Sequence, residues 1–271
     1  MFNPTVARIT LRATLGRRRA LLFALPPLVL ILFTLALKST RPPSRPWPSV
    51  VLGTFGFTVL LPLTALIIGT SVLGAEIDDG SIVHLLATPV RRVSIVLTKF
   101  SVATVLTMAF AAVPELIAAL ISGGGSTPDT QTVKTVAGGQ GGPGQVVFFH
   151  PGTPIGDGKF ALGLFIGALV GAVIYNAIFV MVSVATTRAI AVGLLYVLLW
   201  ESLLSNFVSG ARILSVSHYS LGIANGIAHD SGLHAGLSVP TSVIMGAIFT
   251  ALALVLAVRL LSSFTLKGDP A

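Results

Sequence analysis

With 271 residues, 54% hydrophobic, 10% charged and a mean hydropathy of +0.93, the chain has too few charges to cover a water-facing surface; soluble domains carry roughly 25% charged residues. That excludes an ordinary soluble enzyme and a disordered chain, and the lack of cysteine excludes a disulfide-stapled secreted module. The net charge of +8 arises because 17 basic residues face only 9 acidic ones. The basic residues sit at the ends of apolar runs, as membrane anchors do, so no nucleic-acid partner is expected. The class is an all-α integral membrane protein, expected as a single transmembrane domain over 1–271.

In chain order, the first feature is Arg8–Arg19, which alternates basic residues with Ile9, Leu11 and Leu15. This suits an amphipathic helix on the inner leaflet as well as a plain topology anchor. A helix needs about 20 apolar residues to cross about 30 Å of hydrocarbon. Six runs are read as spans: Ala20–Leu37, Val51–Gly74, Val93–Ile121, Phe160–Ala185, Ala189–Ser205 and Thr241–Leu261. The fifth is short and contains Glu201. The first is a retained span rather than a signal peptide, because Arg41-Pro42-Pro43-Ser44-Arg45-Pro46 follows it where a small-residue cleavage site would stand.

Six spans put both termini on one side. Eleven of the Lys and Arg residues fall on that side and six on the other, led by Arg8, Arg12, Arg17, Arg18 and Arg19. The termini are therefore expected in the cytoplasm, with the chain passing repeatedly through the plasma membrane. Loops 38–50, 122–158 and 206–240 are then external. The glycines of Ser122–Gly158 predict a flexible loop with a short structured patch at Val146-Val147-Phe148-Phe149. In the third loop, Ile213–Ile227 is apolar enough to dip into the membrane or lie on its outer surface.

The most informative segment lies between spans two and three, Gly74 to Arg92. Glu76, Asp78 and Asp79 are three of the nine acids within four residues. Asp79-Gly80 signals a turn and Ser81 is a good N-cap. Ile82, Val83, Leu85 and Leu86 then give a short helix with an apolar face. Thr88-Pro89 ends it and starts the next, with threonine as N-cap and proline at N1. The apolar face either packs on the protein's own helices or offers a soluble partner a helix-in-groove contact.

Glu76, Gly80-Ser81, Leu85-Leu86, Thr88-Pro89, Arg92 and Lys99 together resemble the E-x-x-x-G-[ST]…LL-x-[ST]-P…R…K run of ABC-2 type transporter permeases, the membrane subunits of ABC exporters. The resemblance is strong at residue level over Gly74–Phe100 and covers the rest of the chain in topology. It implies that 81–88 is a coupling helix docking on a nucleotide-binding subunit. It further implies a membrane-proximal helix at Arg8–Arg19, re-entrant helices around Ile213–Ile227, and pairing with a second permease copy or a paralogue. Cargo would then leave outward between spans two and five of the two protomers. The apolar lining suggests a hydrophobic or amphipathic small molecule or lipid.

No G-x-x-x-x-G-K-[ST] occurs, and the only Gly-Lys, Gly158-Lys159, is followed by Phe160. This chain is therefore not expected to hydrolyse ATP. ATP and Mg would be held by a separate ATPase subunit, and no cofactor or metal is expected here.

Single residues carry further readings. Glu76 either transmits movement through an ion pair or is a solvated acid; Arg91 and Arg92 bridge to acids or to lipid phosphate, or simply anchor the inner face. Glu115 and Glu201, toward the outer ends of spans three and five, and Asn176, deep in span four, are candidates for the substrate path. Asn176 could equally be glue between helices, and the two acids could reach solvent. His150, His218, His229 and His234 lie outside, and a spacing of five does not put His229 and His234 on one helix face for a metal. Rival readings are a proton-coupled secondary transporter acting through Glu115 or Glu201, and a membrane scaffold or sensor without transport.

Overall fold

The structure is a computed structural model that describes residues 4–14, 16–40, 47–78, 91–124, 130–136, 144–150, 157–204, 211–230, 232–233 and 236–263. Helix α1, Pro4–Thr14, buries Val6, Thr10 and Thr14, one residue per turn along a single stripe, and exposes Arg8, Ile9, Leu11 and Arg12. The stripe packs on the third and fourth helices, so the amphipathic pattern is spent on protein as well as on its surroundings. Helix α2, Arg17–Thr40, contains Pro26 and Pro27 and buries Phe23, Leu30 and Thr34, while Leu25, Leu28, Val29 and Leu32 face outward.

Helix α3 (47–78) runs through Trp47–Val50, a π-type stretch Val51–Leu60 and Leu61–Asp78. Helix α4, Arg92–Ser122, has a π-type stretch at Met108–Ala112. Helix α5 is Asp157–Ala185. Helix α6 (189–204) begins as α over Ala189–Leu195 and continues as π over Tyr196–Leu204. A 3-10 turn, Ala211–Leu214, leads to α7, Val216–Ala228, and α8 is Val239–Ser263.

Among the described residues, five helices are long and apolar enough to cross a membrane: Phe23–Thr40, Trp47–Gly74, Arg92–Ser122, Gly158–Ala185 and Val239–Ser263. The expected fifth span, Ala189–Ser205, falls on a shorter apolar helix, Ala189–Glu201 by composition. Its second half winds as π and turns Glu201 into the protein. The described residues are otherwise helical apart from one hairpin in the glycine-rich stretch. There β1, Thr130–Val136, pairs antiparallel with β2, Gly144–His150, in the register Thr130↔His150 to Val136↔Gly144. The expected patch at Val146–Phe149 lies within β2.

Helix α5 sits at the centre, packed against α3, α4, α7, α8 and α6. In lipid, apolar side chains gain little by leaving acyl chains for one another, so close backbone approach decides helix pairing. Gly163, Gly167 and Gly171 supply it, spaced one turn apart and facing α7. A Cβ on Gly163 would stand 2.6 Å from the Ala224 carbonyl oxygen, and one on Gly167 2.6 Å from that of Ser220. At one end of the bundle the C-termini of α3 and α8 meet the N-terminus of α4. At the other, Lys38 Nζ donates to the Ile121 carbonyl at 2.6 Å, tying α2 to α4, and Ser49 donates to the buried Asp230.

Candidate functional site

Two chemically distinct regions stand out: the helix ends that flank residues 79–91, and the buried carboxylates within the bundle. Antiparallel packing of α3 and α4 brings Lys99 beside the last turns of α3. Lys99 Nζ lies 2.6 Å from Glu76 Oε1 and donates to the Val72 carbonyl at 2.7 Å. The lysine side chain is 0% exposed and the glutamate 25%. An ammonium so deeply buried is tolerable only because a carboxylate and a carbonyl accept its protons. The pair expected of Glu76 thus forms within the chain.

Arg92, at the start of α4, reaches across to the last helix. Its Nη1 donates to the Leu261 and Ser262 carbonyls at 2.9 and 2.5 Å. These are the unsatisfied acceptors at the C-terminus of α8, where a cation also complements the helix dipole. The α3 end of the segment is therefore tied to α4 through Lys99, and the α4 end to α8 through Arg92. Gly80, Ser81, Leu85, Leu86, Thr88 and Pro89 lie outside the described residues.

Glu201 and Glu115, expected within reach of the interface, are both buried. Glu201 is saturated with donors. It accepts from the Val216 N–H at 2.8 Å, the Ser217 N–H at 3.3 Å, the Ser215 and Ser217 hydroxyls at 2.6 and 2.7 Å, and the Tyr196 hydroxyl at 3.0 Å. It caps α7 from another helix, which satisfies N–H groups that no residue of α7 could reach and places negative charge at the positive end of the dipole.

Glu115 differs. It sits about two turns before the end of α4, packed so closely on Gly56 that a Cβ there would fall on the carboxylate. Its Oε1 is buried with no hydrogen-bond partner among the described residues. A pocket lined by Gly56, Phe57, Phe110, Pro26 and Pro27 surrounds it.

Asn176 is fully buried, and its Nδ2 donates to the Ala172 carbonyl one turn back at 2.7 Å, so this amide bonds within its own helix while packing on Gly69. Among the described residues no three His, Asp or Glu side chains gather to hold a metal ion. His234 is outside them, His229 is exposed at the end of α7, and Asp230 is spent on Ser49 and the Gly232 N–H.

Sequence reasoning passed over the Gly163–Gly167–Gly171 stripe, although its four-residue period was visible. It also passed over Ser215 and Ser217, which gain meaning only once Glu201 is placed beside them. The π-type stretches carry no sequence signal.

Residues 17–138 match a family model described as ABC-2 family transporter protein. No curated protein sequence matches the chain. The matched stretch takes in α2, α3, α4 and the Glu76–Lys99 pair, and it contains Arg92 and Glu115. Over residues 17–138 the chain is similar to ABC-2 family transporter proteins, and its long apolar helices fit a multi-pass membrane protein.

Proposed function

We propose that the chain is the permease subunit of an ATP-driven exporter that moves a hydrophobic or amphipathic small molecule or lipid outward. Residues 81–88 would form the coupling helix on the cytoplasmic side, with both termini in the cytoplasm and the protein in the plasma membrane. A separate ATPase subunit would bind ATP and Mg, and a second permease copy or a paralogue would complete the pathway. Residues 189–205 would then serve as the fifth of six spans.

The observation that carries this reading is the tie at each end of the segment. A push on residues 79–91 is shared between α3 and α4 through Glu76–Lys99 and reaches α8 through Arg92, so movement of a docked partner acts on these helices together. ATP-driven closure of the ATPases would shift the bundle between two packings, and nucleotide release would reset it. For the proton-coupled alternative, Glu201 is already committed to five donors, which leaves Glu115 as its proton carrier.

The test is to purify the tagged chain in mild detergent from its native membrane and identify its companions by mass spectrometry. A Walker-A ATPase should accompany the permease one for one. Replacing Leu85 and Leu86 with aspartate should abolish that association and leave membrane insertion unchanged. Association that survives this change would overturn the coupling assignment.

A further inference from the structure

We propose that the turn carrying Asp230, Gly232 and Leu233 is a lid over a water-holding cavity between α3 and α7, latched shut by the bond from Ser49 to Asp230. The cavity has a volume of about 120 Å³, with Thr54 and Thr58 of α3 on one side and Ser217 and His218 of α7 on the other. One water needs about 10–15 Å³ of such space and two to four polar partners, so this cavity has the room and the chemistry for several. The threonines are available to them. Thr34, Thr64, Thr70 and Thr250 each donate to the carbonyl one turn back. Thr54 and Thr58 make no such bond among the described residues. Both stand in the π-type stretch of α3, whose bonding to the fifth residue takes the usual acceptor out of its α-helical place.

The lid is a turn folded around one carboxylate. Asp230, fully buried, accepts from the Ser49 hydroxyl through Oδ2 and from the Gly232 N–H through Oδ1 at 2.8 Å. Its carbonyl accepts from the Leu233 N–H at 3.2 Å. Gly232 and Leu233 then form the third wall of the cavity. Leu233 is buried and lies against Gly53, where a Cβ would stand 2.7 Å from its Cδ2. Two contacts thus seat the turn on α3, a polar one at Ser49 and an apolar one at Gly53.

His229 is the hinge. It joins α7 to the turn with φ at 55°, the left-handed region, and is the single non-glycine residue with positive φ among the described residues. A side chain holds that conformation only where its surroundings enforce it. Here the enforcing contacts are those of the turn itself, so releasing them frees the hinge as well. Thr54 is exposed on the flank of a helix long enough to span the membrane, where acyl chains meet it. The aqueous route into the cavity is therefore past the lid. This inference stands apart from the transport reading, because water access needs neither ATP nor a partner.

The chain has no cysteine, so T58C in the full chain supplies a single thiol. The test measures its rate of modification by anionic 2-sulfonatoethyl methanethiosulfonate in phosphatidylcholine nanodiscs. T70C, on the same helix and away from the cavity, is the control. Thr58 is 8% exposed and Thr70 3%, so surface exposure alone does not separate them. T58C should react at least about tenfold faster than T70C. Where opening and closing outpace the reagent, the rate follows the open population. S49A should then speed T58C by roughly 10- to 100-fold, the shift expected from losing one hydrogen bond to a charged group, and leave T70C unchanged. L233A should act in the same direction and carries the test if S49A does not elute as a folded species. T58C reacting no faster than T70C, a T58C rate unchanged by release of the latch, or equal acceleration of both thiols would each overturn the proposal.

Discussion

The Glu76–Lys99 pair makes an asymmetric prediction. Truncating the glutamate in E76A strands an ammonium that is 0% exposed and still donates to the Val72 carbonyl at 2.7 Å. Removing one partner from a buried ion pair costs about 3–5 kcal/mol. Truncating the lysine in K99M leaves a glutamate that is 25% exposed and can be hydrated. Its expected cost is only about 1–2 kcal/mol, the net worth of a charge-assisted hydrogen bond near water. The double variant E76A/K99M removes the stranded cation and should be less costly than E76A alone. The assay is unfolding of the detergent-solubilised chain by SDS titration, followed by far-UV circular dichroism. Equal costs for the two single variants, or a double variant equal to their sum, would refute the assignment of burial and charge at this pair.

Two other substitutions test the packing. G167A places a methyl 2.6 Å from the Ser220 carbonyl oxygen, and overpacking should destabilise the chain by about 1–3 kcal/mol in the same titration; a silent substitution would contradict the α5–α7 contact. E201L leaves the Val216 and Ser217 N–H groups without their acceptor, at an expected cost of about 2–4 kcal/mol. E201L should also speed trypsin cleavage after Arg212, whereas E201D should reduce both effects.

Which features were legible in the sequence follows from the physics of each. The long spans were legible because lipid imposes one simple demand, about 20 apolar residues in a row, and α2, α3, α4, α5 and α8 meet it. The acidic and basic motif residues were legible too, since Glu76 and Arg92 sit at helix ends and Lys99 two turns inside α4, where charges have few choices of partner. Their partners were less so. Arg92 reaches carbonyls on the last helix, and any helix end in the chain would have offered the same groups. Glu201 read as an isolated membrane acid because its partners, Ser215 to Ser217, lie on a segment too short to register as a span. The π-type winding of α6 and of the stretches in α3 and α4 was not legible, because it follows from tertiary packing and not from local propensity.

The shortness of α7 has a consequence for how the chain is assembled. Its 13 residues extend about 20 Å, well short of the hydrocarbon thickness, so hydrophobicity alone does not thread it through the bilayer during synthesis. Yet Val216 through Ala224 are all buried. The seat they occupy is begun by elements made earlier, the glycine face of α5 and the carboxylate of Glu201 in α6, and is closed by the start of α8. Membrane insertion of the long helices and docking of α7 are therefore separate events, and the second waits on the first. A substitution that spoils the seat would leave a chain correctly threaded through the bilayer and still unfinished, visible to a protease at the surface before it is visible to any measure of insertion.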